Sequence, residues 1–96
     1  MKILEPIGEQ EKEIACSRYR LVLLRSPQPG EPFKIYGLER LGGFWDLVDK
    51  FYVPGSDGTE DPGWAFEQAW PLFNARGLAL EQPQLTHFLK TGIRNR

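Results

Sequence analysis

Several features on which catalytic and membrane-inserted proteins depend are missing from this sequence of 96 residues, or occur only once. A single cysteine, Cys16, excludes an internal disulfide and a thiolate metal cluster and fits a reducing compartment. The longest aliphatic run, residues 21–24, is far shorter than the roughly 20 residues that cross a bilayer. Charge and proline within residues 1–6 leave no apolar signal segment. These absences predict a cytoplasmic protein that does not enter a membrane.

Catalytic machinery is equally sparse. The one histidine, His87, lies far along the chain from Cys16, and neither has a glycine elbow or an oxyanion motif beside it. Gly42 and Gly43 lack the context of a phosphate-binding loop. A zinc site would need carboxylates from scattered positions. We therefore expect no enzymatic activity, no catalytic residues, no cofactor and no metal.

The composition is that of an ordinary globular protein, with 41% hydrophobic and 26% charged residues. At this length the chain forms one domain over residues 1–96. The net charge of −1 hides an acidic middle and a basic C-terminal end. Such an asymmetry favours a charged partner, although a solvated acidic face is its commoner meaning.

The first half of the chain predicts β-structure. Residues 1–17 show little pattern beyond a short edge strand near the start, and we expect this segment to be poorly defined. Residues 18–25 are typical of a strand, and the proline-rich residues 26–32 of a loop. Residues 33–38 alternate as a second strand, antiparallel to the first.

Residues 42–52 are the densest aromatic stretch. Phe44, Leu47, Val48 and Phe51 have the spacing of one buried helical stripe, so this segment predicts a central helix.

The second half predicts further helices. Asp61 caps a helix that begins at Pro62 and ends near Gly77, and Pro71 causes either a kink near residues 67–70 or a division into two short helices. A last helix spans residues 82–91, and residues 93–96 form a frayed tail. The predicted fold is a small single α+β domain in which an N-terminal antiparallel β-hairpin or short sheet packs against two to four C-terminal helices.

Large aromatic side chains exceed what so small a core can hide, and tryptophan and tyrosine dominate binding hot spots. The leading hypothesis is a non-enzymatic protein-binding module, an adaptor, inhibitor or regulatory subunit, with an aromatic surface and an acidic rim that suit a basic partner. The predicted site residues are Trp45, Asp46, Asp49, Tyr52, Trp64 and Trp70. The sequence leaves open whether two copies pair as a homodimer.

Residues 77–92 support an alternative. A glycine followed by Gln82 and Pro83 resembles the turn and second helix of helix-turn-helix DNA-binding proteins. The resemblance implies a regulator that reads DNA with the helix at residues 82–92 and contacts phosphates with basic residues. The residues it nominates are Gln82, Gln84, Thr86, His87, Lys90, Arg94 and Arg96.

Overall fold

The computed structural model describes the backbone of residues 3–91 and the side chains of residues 3–76. The chain order is four strands and then a helix: β1 (Glu5–Ile14), β2 (Ser17–Arg25), β3 (Lys34–Leu41), β4 (Phe44–Tyr52) and α1 (Pro62–Thr91). The strands form one antiparallel sheet in the order β1-β2-β3-β4, so each strand pairs with its neighbour in sequence. The fold is therefore α+β, as predicted, and residues 3–91 contain one sheet and one helix.

The two outer hairpins turn tightly. Gly42 has a φ of 60° in the turn between β3 and β4, a conformation that glycine adopts without steric cost. In the turn between β1 and β2, Ala15 and Cys16 have positive φ values of 52° and 70°. Since a Cβ makes this left-handed conformation unfavourable, the β1–β2 turn is strained.

The helix α1 covers one face of the sheet, which we call the helix-covered face. Its buried residues Ala65, Phe66, Ala69, Trp70 and Phe73 pack against Tyr19, Leu21, Leu23, Ile35 and Phe51 of the strands. The ring of Phe73 lies over Gly37 of β3, where any Cβ would overlap it. This close approach lets the helix settle on the middle of the sheet.

The predicted strands at 18–25 and 33–38 are confirmed as β2 and β3, and they are antiparallel. Strand β1 occupies most of residues 1–17, where the sequence predicts only a short edge strand in a poorly defined segment. The first helix begins as predicted. Gly63 N–H donates to the Asp61 side chain at 2.8 Å, and Pro62 is the first helical residue.

The predicted central helix at 42–52 is wrong, because residues 44–52 form the edge strand β4. The helical spacing of its apolar residues coincides with a strand that contains a bulge. Leu38 pairs with Leu47 and Gly37 with Asp49, so Val48 is the extra residue. Bulged strands break the alternation of two and can imitate a helical stripe.

The expectation of two to four helices is also wrong for the described residues, which contain the single helix α1. The predicted break at Pro71 and the predicted stop at Gly77 are wrong, because α1 is continuous and residues 82–91 belong to it. The predicted kink at Pro71 stays a prediction. Pro71 is exposed, so its ring displaces no core side chain, but it has no N–H to donate to the carbonyl four residues earlier. The predicted frayed tail, 93–96, lies outside the described residues.

The strained β1–β2 turn predicts that Cys16→Gly stabilises the protein. Glycine removes the steric cost at φ 70° but loses more freedom on folding, so we expect a net gain of about 0.5–1 kcal/mol. Chemical denaturation measures it. Cys16→Ala, which keeps the Cβ and removes only the thiol, is the matched control and should give no such gain. Equal gains for both variants would contradict the steric explanation.

The contact between Gly37 and Phe73 predicts that Gly37→Ala destabilises the fold. The added methyl group displaces a buried ring, at a cost of about 1–3 kcal/mol in the free energy of unfolding. Gly43→Ala is the control, because a Cβ there meets nothing within 4 Å. Thermal unfolding of the two variants should differ clearly, and equal melting temperatures would show that α1 does not pack on Gly37.

Candidate binding surface

The face of the sheet opposite α1, which we call the open face, carries the cations of β2, β3 and β4 except Arg25 at the end of β2. Side chains alternate between faces along a strand, and cross-strand partners share a face. Gly37 lies under α1, so its cross-strand partners and every second residue from it belong to the helix-covered face, and the residues between them belong to the opposite face. The carboxylates of β3 and β4 fall on the helix-covered face: Glu39, Asp46 and Asp49. The open-face cations are Arg18, Arg20, Lys34, Arg40 and Lys50.

One end of the open face is built around Trp45. The guanidinium of Arg20 lies 4.4 Å from the centre of its ring, and that of Arg40 lies 5.4 Å away. Arg20 also forms ion pairs with Glu9, at 3.0 Å, and with Glu11, so β1 neutralises it. Stacking on guanidinium groups holds the half-buried indole in place without hiding it.

The other end of the open face holds two tyrosines and two lysines. The ammonium of Lys34 lies 5.8 Å from the ring of Tyr36 and 5.1 Å from that of Tyr52. Lys50 is the cross-strand partner of Tyr36. Among the described residues, no carboxylate lies within ion-pair distance of Lys34, Arg40 or Lys50. The β3–β4 side of the open face is therefore positively charged.

Apolar side chains fill the middle of the open face. Val22 and Leu38 are half-buried, and Leu47 is exposed although it faces Leu38 across β3 and β4. Leu24 is buried on this face, apart from the core cluster under α1. The open face thus combines an apolar centre with aromatic and cationic surroundings on β2, β3 and β4, and its carboxylates lie on β1.

The structure separates the predicted site residues. Trp45 and Tyr52 share the open face, while Asp46 and Asp49 lie on the other side of the sheet. The Asp49 carboxylate accepts two hydrogen bonds from Arg76 of α1, at 2.9 and 2.7 Å. These hydrogen bonds raise the pKa of Arg76, because their effect exceeds the opposite effect of burial. Asp49 therefore fastens the helix to β4 instead of forming a rim around the aromatic residues.

The two predicted tryptophans of α1 also lie away from the open face. Trp70 is only 6% exposed, and its indole N–H donates to Gln10 of β1 at 2.9 Å. Trp64 is half-buried and packs against the core cluster. The expected aromatic surface with an acidic rim is thus not assembled, because its residues belong to two sides of the sheet.

The open-face cations were not among the predicted site residues, although the sequence carries their signal. Arg18 and Arg20 alternate along β2, and Lys34 and Arg40 are separated by an even number of residues along β3. Alternation of this kind indicates a shared face only once the segments are assigned to strands. The prediction of a helix at residues 42–52 leaves β3 without its partner β4, so the face that the two strands share cannot be recognised from the sequence.

The residues of the helix-turn-helix alternative have no described side chains: Gln82, Gln84, Thr86, His87 and Lys90 lie in the helical backbone of α1, and Arg94 and Arg96 lie outside the described residues. The turn that the resemblance requires between residues 77 and 85 is helical in the structure.

Neither a metal centre nor a membrane span is found in the part of the chain that the structure describes. No group of three or more histidine, cysteine, aspartate or glutamate side chains there is arranged to hold a metal ion. No helix there is both long and apolar enough to cross a bilayer. Comparison with protein-family models, with curated proteins and with solved structures finds no match for this chain.

Proposed function

We propose that the protein is a non-enzymatic binding module that recognises another protein, as an adaptor, inhibitor or regulatory subunit, through the open face of its sheet. The observation that carries the proposal is the separation of positive and negative side chains onto opposite faces of β3 and β4. Cations and aromatic rings share the open face of β2, β3 and β4, and the carboxylates of β3 and β4 lie opposite. The proposed partner surface is therefore acidic, and not basic as the sequence suggests.

The residue types on this face support a protein partner. Tryptophan, tyrosine and arginine are the side chains most enriched in binding hot spots, and an apolar centre within a charged border is the common anatomy of an interface. Trp45 and Tyr36 are positioned by cations that stack on them, so little rotamer freedom remains to be lost on binding. The aliphatic centre at Leu38 and Leu47 suits the apolar side chains of a protein. The rings around it, Trp45 and Tyr52 among them, can also stack on bases, so the test below includes nucleic acid.

Reversal of the open-face charge should abolish recognition of an acidic ligand. The probe is a fluorescein-labelled peptide in which Glu and Val alternate, titrated with the protein in an anisotropy assay. Lys34→Glu, Arg40→Glu and Lys50→Glu combined should raise the Kd by about tenfold or more, since three attractive pairs become repulsive. Circular dichroism checks that the variant remains folded.

The matched control reverses three cations that do not belong to the strands, with Lys90→Glu, Arg94→Glu and Arg96→Glu. This variant has the same net charge as the first, so it should bind the peptide like the unchanged protein if position matters. A single-stranded oligonucleotide and a short duplex are titrated in parallel. Tight binding of either nucleic acid without binding of the acidic peptide would overturn the proposal and identify nucleic acid as the partner class.

A further inference from the structure

The two edges of the sheet differ in how they are protected. β1 carries Pro6, a bulge at Ile7 and a run of charged side chains, which are the devices that prevent a foreign strand from pairing. β4 also has a bulge, at Val48, but it contains no proline, and several of its apolar side chains are exposed, with Phe44 at 61% and Tyr52 at 54%. Strand pairing at the sheet edge is therefore discouraged more strongly at β1 than at β4, where residues 49–52 pair regularly after the bulge.

The backbone of β4 presents hydrogen-bonding groups to this edge. Val53 N–H donates to Phe33 O at 2.9 Å, which makes Val53 and Phe33 a hydrogen-bonded pair across the strands. Such pairs alternate with pairs whose backbone groups point outward, and this places Lys50 and Tyr52 outward. In agreement, Lys50 N–H bonds to the Asp49 side chain at 2.8 Å and not to β3.

The charges beside β4 select the side chains that an added strand can carry. Side chains that the strand directs to the open face lie next to Lys50, with Lys34 and Arg40 on the following strand, and carboxylates suit that position. Side chains directed to the other face meet Phe44 and Asp46, where an apolar residue packs and an acid is repelled. The edge therefore suits a segment in which acidic and apolar residues alternate.

A second copy of this chain does not supply that pattern from its own exposed edge. The open-face residues of β4 are Trp45, Leu47, Lys50 and Tyr52, none of them acidic, and its carboxylates Asp46 and Asp49 project to the opposite face. Pairing of β4 with another β4 would leave the lysines of both copies without carboxylates on their side of the sheet. The charges thus favour a partner protein over self-association.

We propose that β4 is a strand-addition site, which extends the four-stranded sheet by an extended segment of the partner with alternating acidic and apolar residues. This proposal rests on the open face being the recognition surface. It adds that main-chain hydrogen bonds to Tyr52 and to the carbonyl of Lys50, whose N–H is taken by Asp49, provide part of the affinity. The open-face cations determine that the acidic residues of the segment, and not its apolar ones, lie on the open face.

Backbone methylation of the peptide tests the hydrogen bonds. The alternating Glu and Val probe is compared with two versions that carry N-methyl groups on every second residue, one on the Glu amides and the other on the Val amides. In a strand, one of these sets faces β4 and the other faces solvent, so one version should lose about tenfold or more in affinity and the other should bind nearly unchanged. Equal affinity of both versions and the parent peptide overturns strand addition and leaves the proposed function standing, whereas failure of the parent peptide to bind overturns the proposed function itself.

A substitution in β4 tests the same main-chain hydrogen bonds by removing a donor of the protein instead of one of the peptide. Tyr52→Pro removes the ring and the outward N–H, whereas Tyr52→Ala removes the ring alone. The proline variant should bind the peptide about tenfold more weakly than the alanine variant, and equal Kd values would overturn the proposal. Sedimentation at the same concentrations gives the oligomeric state. A dimer that Tyr52→Pro dissociates would overturn the assignment to a partner protein, because the second copy would then occupy the edge.

Discussion

The period of two along a β-strand is the constraint from which the surface of this protein follows. It directs Arg20 and Lys34 to one face of the sheet and Leu21 and Ile35 to the other, and the chain can bury its apolar side only if all four strands keep this phase. The bulge at Val48 matters for the same reason. Without an extra residue, Asp46 and Asp49 would lie on opposite faces, and one carboxylate would enter the cationic open face. The bulge thus preserves a single sign of charge across β3 and β4.

The single helix decides which face becomes the core. Burial of an aromatic side chain such as Phe73 contributes about 1.5–3 kcal/mol, and α1 places its aromatic stripe against one side of the sheet only. Glycine at position 37 lets the helix approach, and the ion pair of Arg76 with Asp49 fixes it to β4. In the part of the chain that the structure describes, α1 is the single helix and leaves the second face of the sheet uncovered. In antiparallel sheets such a face is normally polar, so the exposed Leu47 and half-buried Trp45 are the exceptions that call for a partner.

The sequence predicts those elements whose signals lie within a few neighbouring residues, and it fails where strand pairing or packing decides the structure. β2, β3 and the start of α1 follow from alternation, from proline breaks and from the Asp61 cap, all within a few residues. The nature of β4 was not predictable from spacing alone, because four apolar residues at helical intervals also fit a bulged strand. A better signal was present in Gly42 and Gly43, a two-residue turn between apolar segments that is typical of a hairpin. The continuity of α1 through Pro71 was not predictable, because packing of Trp70 and Phe73 against the sheet overrides the local preference of proline.

The candidate surface was predictable in part for the same reason. Trp45 and Tyr52 stand out by residue type, but grouping them with Asp46 and Asp49 required the wrong secondary structure. Net charge misleads further, since a value of −1 for the whole chain conceals a face without carboxylates on β2, β3 and β4. The fields that guide association act within about 8–10 Å at physiological salt, so a partner responds to the local face and not to the sum over the chain. A chain of almost zero net charge can therefore attract an acidic partner at one face, which orients the encounter before any contact forms.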